Sequence, residues 1–402
     1  MVIYDALSDL QGAMKYVYEE DMSLLDYTDD HFLKALKKET DFEGKYHALG
    51  IDYGGGKYGS DPTKVFGQIS VRKEAMFLVP PKVGYAVANV SGLAIQVGRG
   101  NGSILDVVKL EVDRALAKGK EQLLQGLFGN SGGAKGRLRS DVTLGGYTAI
   151  LNTPSDIINF RVGDVVQLSA TDGTSGSVRS GTLTVSARDA ATGTLTFTAL
   201  ISSISGAAAS DYIFQNGDFG LGMFGVGTWI PTTAPTSGDA VMGFDRSADP
   251  TLLAGLRLTP SATRLDEAIA EFLSFAEREQ VHPDYCIMNP DFYADLQKIE
   301  GALVRVNMPQ GEGRIGFSSM MINTSNGPIP IEVSAYCPKS VGVYFLTMED
   351  WALKTTMKAP SILDQDVMWL RVSGDDAYEC RIGWYGNLIC SNPHRSGVLI
   401  WS

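Results

Sequence analysis

The chain has few cysteines. Cys286, Cys337, Cys380 and Cys390 are the four in 402 residues, and no two form a CxxC pair. Each sits in an apolar or strand-like stretch, so buried free thiols are expected rather than a disulfide frame or a metal cage. Histidine is equally scarce. His31, His47, His282 and His394 share no metal-pair spacing, and HExxH is absent. No apolar run nears the roughly 18 residues of a membrane span. The start, MVIYDALSDLQGAMKY, lacks the basic-then-apolar order of a signal peptide. A soluble protein made in a reducing cytoplasm, with no membrane partner, is expected. Basic charge is also short: 34 Lys and Arg against 46 Asp and Glu give a net charge of −12. That argues against a protein that grips nucleic acid, because phosphate neutralisation needs a basic surface.

Glycine is plentiful, at 45 residues, and two glycine-rich runs invite a phosphate site. GIDYGGGKYGS, residues 50–60, fails the Walker pattern: Tyr58 follows Lys57 where Ser or Thr is needed, and Pro62 and a strand lie downstream instead of a helix. GNSGGAKGRLRS, residues 129–140, follows a helix rather than a strand, so a loop is expected. A Ser–His–Asp arrangement needs an elbow such as GxSxG, and none is expected in the chain. VHPDY, around His282 and Asp284, is expected as a solvated loop leading into a buried strand. Asp375 and Asp376 fall in a turn, where Asp and Gly are common. The expectation is therefore no enzyme, no catalytic or metal residues and no cofactor.

Periodicity supplies the organisation of an α+β chain. Residues 1–44 form a polar arm with short helices expected near Ala6–Tyr18 and Asp30–Lys38, and no continuous apolar face for a core of its own. QISVRKEAMFLVP alternates, putting Ala75, Phe77 and Val79 on one side. With KYHALGIDY it predicts a long hairpin, whose arms of about ten residues reach on the order of 30 Å. The strongest helix is Ser103–Phe128, with Ile104, Leu105, Val108, Val112, Leu116, Leu123 and Leu127 at helical spacing and Ser103 as N-cap. From 142 to 220 the texture becomes short threonine-rich alternating segments, expected as a small all-β barrel or sandwich. Residues 221–260 look like an irregular connector. Leu265, Ile269, Phe272 and Ala276 then mark an amphipathic helix, YCIMNP a buried strand, and Asn289–Pro290 the capped start of a second helix. The last segments alternate as sheet strands.

The order of these parts carries more than any single motif. Arm, hairpin, long helix ending in LLQGLFGNSGGAKGRL, CIMNPDFYADLQ, GPIPIEVSAYCP, YFLTMEDWAL and AYECRIGWYGNLICSNP follow in succession. In that order the chain resembles a tailed-bacteriophage major capsid protein of the HK97-type fold, over its whole length except an inserted β-domain. The resemblance implies an N-arm (1–44), an extended E-loop (45–75), and a P domain whose first part (76–141) holds the spine helix, 103–128. It further implies an inserted β-domain (142–220), an A domain (221–336), P-domain return strands (337–391) and a C-terminal tail (392–402).

The implied function is self-assembly into hexamers and pentamers of an icosahedral shell enclosing phage DNA, without sequence-specific binding. The chain would sit in the virion after assembly in the host bacterial cytoplasm. Implied partners are further copies of the chain, a separate scaffolding protein, a portal and a decoration protein. Tyr53, Gly54, Gly55, Gly56, Lys57, Tyr58 and Lys64, at the hairpin tip, would touch a neighbouring subunit. Some relatives cross-link such a lysine to an asparagine, but SILDQDVMWLRV offers no matching asparagine. An encapsulin-like compartment shell shares the implied fold. A hydrolase or carbohydrate-binding protein with a β-module is the alternative from another class, and it would need a catalytic constellation.

Overall fold

The computed structural model describes residues 30–54, 73–92, 103–239, 241–303, 320–363 and 369–401, and of 103–110 and 300–303 the backbone only. Asp30 caps the first described helix, α1 (His31–Ala35), its Oδ1 accepting from the Leu33 N–H at 3.0 Å. Phe32, Leu33 and Leu36 are buried in the central core. This corrects the expectation of a coreless arm with a helix over Asp30–Lys38. The helix stops at Ala35 and Lys37–Glu39 is a strand, β1. So short a helix is marginal by itself, and the Lys-Lys-Glu stretch gains a ladder and ion pairs from the sheet it joins. The other expected helix, near Ala6–Tyr18, lies outside the described residues.

The hairpin follows. In β2 (His47–Asp52) and β3 (Glu74–Val79), His47 stands opposite Val79 and Asp52 opposite Glu74. Ala75, Phe77 and Val79 are fully buried while Glu74, Met76 and Leu78 face outward, the period of two expected of a half-buried strand. Next comes β4 (Lys82–Ser91), then α2 (Ser103–Leu127), 25 residues and roughly 38 Å long. Val112, Ala115 and Leu116 of α2 pack on Ala86, Ala88 and Val90 of β4, and Leu123, Leu124 and Leu127 enter the central core.

Six antiparallel strands come next: β5 (Ala134–Arg137), β6 (Thr148–Ile150), β7 (Val165–Ser169), β8 (Leu183–Asp189), β9 (Thr194–Phe197) and β10 (Tyr212–Gln215), paired in the order β5-β10-β7-β8-β9-β6. A bridge between Leu138 and Leu151 joins the two ends, with Asn152 N–H donating to the Arg137 carbonyl at 2.8 Å. The sheet thus closes into a barrel around Leu138, Phe160, Val166, Leu168, Leu195 and Ile213. Its first strand lies ahead of residue 142, where the all-β segment was expected to begin. Ala134–Arg137 carries no apolar alternation, and its register comes from pairing with β10. The chain leaves where it arrived: Gly220 N–H donates to the Gly132 carbonyl at 2.9 Å.

Residues 221–260 are less featureless than expected. They hold α3 (Val226–Trp229) and α4 (Pro250–Ala254), and then β11 (Leu256–Leu258). Trp229 is fully buried, its Nε1 donating to the Leu388 carbonyl at 3.0 Å. The predicted amphipathic helix is α5 (Leu265–Arg278), with Leu265, Ile269, Phe272 and Ala276 all buried. It is followed by β12 (Tyr285–Met288), α6 (Pro290–Leu303), β13 (Met321–Thr324), β14 (Gly327–Val333) and β15 (Gly342–Leu346). Asn289 Oδ1 accepts from the Asp291 N–H at 3.1 Å, as its place before Pro290 predicts.

The chain ends in β16 (Trp351–Thr355), β17 (Ser361–Ile362), β18 (Leu370–Arg371), the 14-residue β19 (Ala377–Cys390) and β20 (Gly397–Ile400). In one sheet β19 is the hub, flanked by β4, β16, β17 and β18, with β1 parallel to β16. A second sheet runs β11-β20-β15-β12-β14-β13. β15, expected among the strands returning at 337–391, therefore belongs with β12 and β20. All five of its residues are buried, as befits a central strand covered on both faces. Cys286, Met288, Val343 and Phe345 pack under α5 and α6, while Tyr285, Ile287, Tyr344 and Leu346 face the central core. The four cysteines are free and buried.

Candidate assembly surface

The hairpin is rooted in the core by its inward face. Phe77 lies edge-on to Trp229, and also to Phe244 at 6.0 Å. Beyond the last paired strand residues, the Tyr53 N–H still donates to the Lys73 carbonyl at 2.9 Å. The Tyr53 ring rests against Phe244 of its own chain, centroids 6.1 Å apart, and the Gly54 N–H donates to Asp52 Oδ1 at 3.1 Å. Of the expected contact residues, Tyr53 thus belongs to the hairpin base and Gly54 is exposed beside it. Gly55, Gly56, Lys57, Tyr58 and Lys64 lie outside the described residues.

Where the hairpin leads into β4, the fully buried side chain of Asn387 ties three segments together. Its Oδ1 accepts from the Phe224 and Leu388 N–H groups at 2.9 and 3.0 Å, and its Nδ2 donates to the Pro80 carbonyl at 2.9 Å. No sequence motif announces this residue; it sits in an otherwise apolar strand run, NLIC, and such a buried amide needs partners.

The outward faces of these rooted strands carry several apolar side chains beside Glu74, Asn89 and Ser91. Met76 is 60% exposed and Tyr85 54%, and Leu78, Val83 and Val87 are also open. Alternation alone places them there: their neighbours Ala75, Phe77, Ala86 and Ala88 fill the cores. A lone exposed apolar residue needs no explanation; several on consecutive strands are a candidate interaction surface. Tyr85 leans edge-on against Tyr385, their hydroxyls 3.2 Å apart.

A second attachment joins the first described segment to β16. Lys354 Nζ stands 2.7 Å from Glu39 and 2.9 Å from Asp41, and Lys37 also pairs with Glu39. Hydrogen bonds from Lys354 and then Lys37 hold the Glu39 carboxyl down at about 2, against the opposing effect of burial.

Beside β4 lies a cavity of about 440 Å³, bordered by Tyr85, Gln122, Lys135, Asp218, Tyr336 and Trp384. Burial pulls the Lys135 ammonium below its usual range and pushes the Asp218 carboxyl up. Ser131 also borders it, within GNSGG (129–133); this is a Gly-x-Ser-x-Gly spacing, which corrects the expectation that the chain has none. The run follows α2 instead of turning from strand to helix, and no histidine lines the cavity, so the nucleophile elbow has neither its context nor its base. His282 and Asp284 do not pair either. Asp284 accepts from the Met348 N–H at 2.9 Å, while His282 Nδ1 faces Glu277 at 3.2 Å. Among the described residues no group of three or more His, Cys, Asp or Glu could hold a metal ion, and no helix is long and apolar enough to cross a membrane.

Solved structures share this arrangement. One, a subunit of the cyanophage A-1(L) capsid, is 12% identical, with 93% of this chain and 94% of that chain aligned at a TM-score of 0.56. The chain has the fold of a phage capsid subunit. This agrees with the HK97-type resemblance of the sequence, and the mixed α+β architecture stands with it. Weaker matches are the capsid of a native GTA particle (9% identity, 92% and 89% covered, TM-score 0.47) and an encapsulin complex from Synechococcus elongatus (8% identity, 92% and 86% covered, TM-score 0.41). No known family model matches the sequence, and no curated protein does.

Proposed function

We propose that the chain is a coat subunit that assembles into hexamers and pentamers of an icosahedral shell enclosing phage DNA. The observation that carries this reading is the set of outward apolar side chains, Met76 and Leu78 on β3 and Val83, Tyr85 and Val87 on β4, on strands whose other face is locked into the core. A monomer gains nothing from such a surface, whereas a neighbour that covers it stabilises the assembly. The capsid-like fold supports the same reading, as does the net charge of −12, since an acidic chain does not hold the DNA it encloses.

On this reading residues 1–44 act as an arm and 45–75 as the loop laid across a neighbour, with Gly54, Lys57, Tyr58 and Lys64 as contacts. The barrel is an inserted module, and a scaffolding protein and a portal are the partners. The chain does no chemistry of its own. Deleting Gly54–Gly67 tests the role of the loop. The subunit should keep its circular dichroism and unfolding midpoint yet sediment as small oligomers. Normal shells from the deletion would remove the loop from the assembly mechanism.

A further inference from the structure

At one end of the second sheet, the edge strand β13 divides two unlike surfaces. On one side a groove of about 360 Å³ runs between α5 and the β13–β14 hairpin, floored by Ile269, Leu273, Ile322 and Ile329 and rimmed by Asp266 and Glu277. On the other side Met321, next to Ile322 and so of opposite orientation, stands 60% exposed. One strand thus offers an apolar knob on one face and an apolar groove on the other.

The charges divide in the same way. α5 carries four carboxylates, Asp266, Glu267, Glu271 and Glu277, against Arg278 and the N-cap residue Arg264, which pairs with Asp266 at 2.6 Å. The segment α1–β1 packs on the far face of the sheet and carries Lys34, Lys37 and Lys38 against Glu39 and the capping Asp30. It reaches the Met321 face: Met321 pairs with Pro330, and Glu332, two residues on and pointing the same way, lies 3.2 Å from His31.

We propose that this edge is a contact between successive copies of the chain. Met321 of one copy seats in the α5–β13 groove of the next, and the acidic helix faces the basic α1–β1 segment. The occupant is a second copy because both halves belong to one chain and their charges are opposite in sign. A two-fold contact would make the same Met321–groove pairing twice and stop at a dimer. A head-to-tail contact of unlike faces closes into rings when its rotation allows, and a flexible, apolar methionine suits an imperfect groove. The inference rests on the coat reading and adds the surface by which subunits in a ring meet.

The test is a disulfide trap in the full chain, Met321→Cys with Ser274→Cys, the serine being exposed at the groove. Within one chain the two lie on opposite faces and cannot bond. Oxidised assemblies of the double variant should give a ladder of covalent multimers on a non-reducing gel, and each single variant only monomer. Assembled double variant that stays monomeric, or Met321→Cys alone giving dimers, overturns the proposal. Met321→Asp provides a second reading if the cysteines impair assembly. It should keep the native fold by circular dichroism but lower the assembled fraction about tenfold or more; unchanged assembly overturns the proposal. If the unaltered chain never assembles, the coat reading itself fails.

Discussion

The ring of Phe77 meets the indole of Trp229 edge-on, their centroids 5.8 Å apart and their planes at 77°. This contact fixes the hairpin base to the core, and the Trp229 Nε1–Leu388 bond fixes the indole in turn. Trp229→Ala should therefore lose about 3–5 kcal/mol of stability, as large aromatic truncations in cores do. Urea denaturation measures it. A loss below about 1 kcal/mol would mean that the indole is not a structural anchor.

Asn387 makes a separate prediction. Asn387→Leu has nearly the right volume but strands two N–H groups and the Pro80 carbonyl in the interior. Each group left unsatisfied costs about 1–3 kcal/mol. Denaturation should show a loss of several kcal/mol, and hydrogen exchange should speed up at Phe224 and Leu388. Unchanged exchange at those two amides would contradict the account.

The tie between β1 and β16 depends on pH. The Glu39 carboxyl titrates in the folded chain at about 2 instead of its ordinary 4.5. Folding thus favours its ionised form, so its contribution is complete above about pH 4.5 and disappears as pH falls towards 2. Glu39→Gln should lower stability at neutral pH and flatten the acid limb of a midpoint-against-pH curve between those values. An acid limb identical to that of the unaltered chain would show that Glu39 does not drive it.

The barrel should be separable. Gly132 and Gly220 are hydrogen-bonded where the chain enters and leaves it, so a short glycine linker can replace residues 133–219. The remainder should fold cooperatively, and residues 134–215 alone should give a β-type circular dichroism spectrum. A remainder that is unfolded at all temperatures would mean that the barrel is part of the main core and not an insertion.

Much of this architecture is legible in the sequence because strong periodicities are local. The half-buried alternation of β3, the stripe of α5 and the Asn289–Pro290 helix start were all readable that way. What escaped depends on distant partners. Ala134–Arg137 is a strand because β10 lies beside it. Lys37–Glu39 is a strand because β16 supplies Lys354. β15 belongs to the second sheet because β12 and β20 enclose it. Trp229 gave no periodic signal in its irregular segment, although it anchors the hairpin. The outward apolar side chains of Met76 and Leu78 were not read from the sequence, although they follow from the same alternation that puts Ala75, Phe77 and Val79 on one side.

Electron microscopy of particles purified from host cells producing this chain tests the central claim most directly. The account predicts closed icosahedral shells whose walls are hexamers and pentamers of the chain, holding nuclease-protected DNA when phage is present. A chain that stays monomeric at every concentration, or shells that enclose only protein cargo, would contradict it.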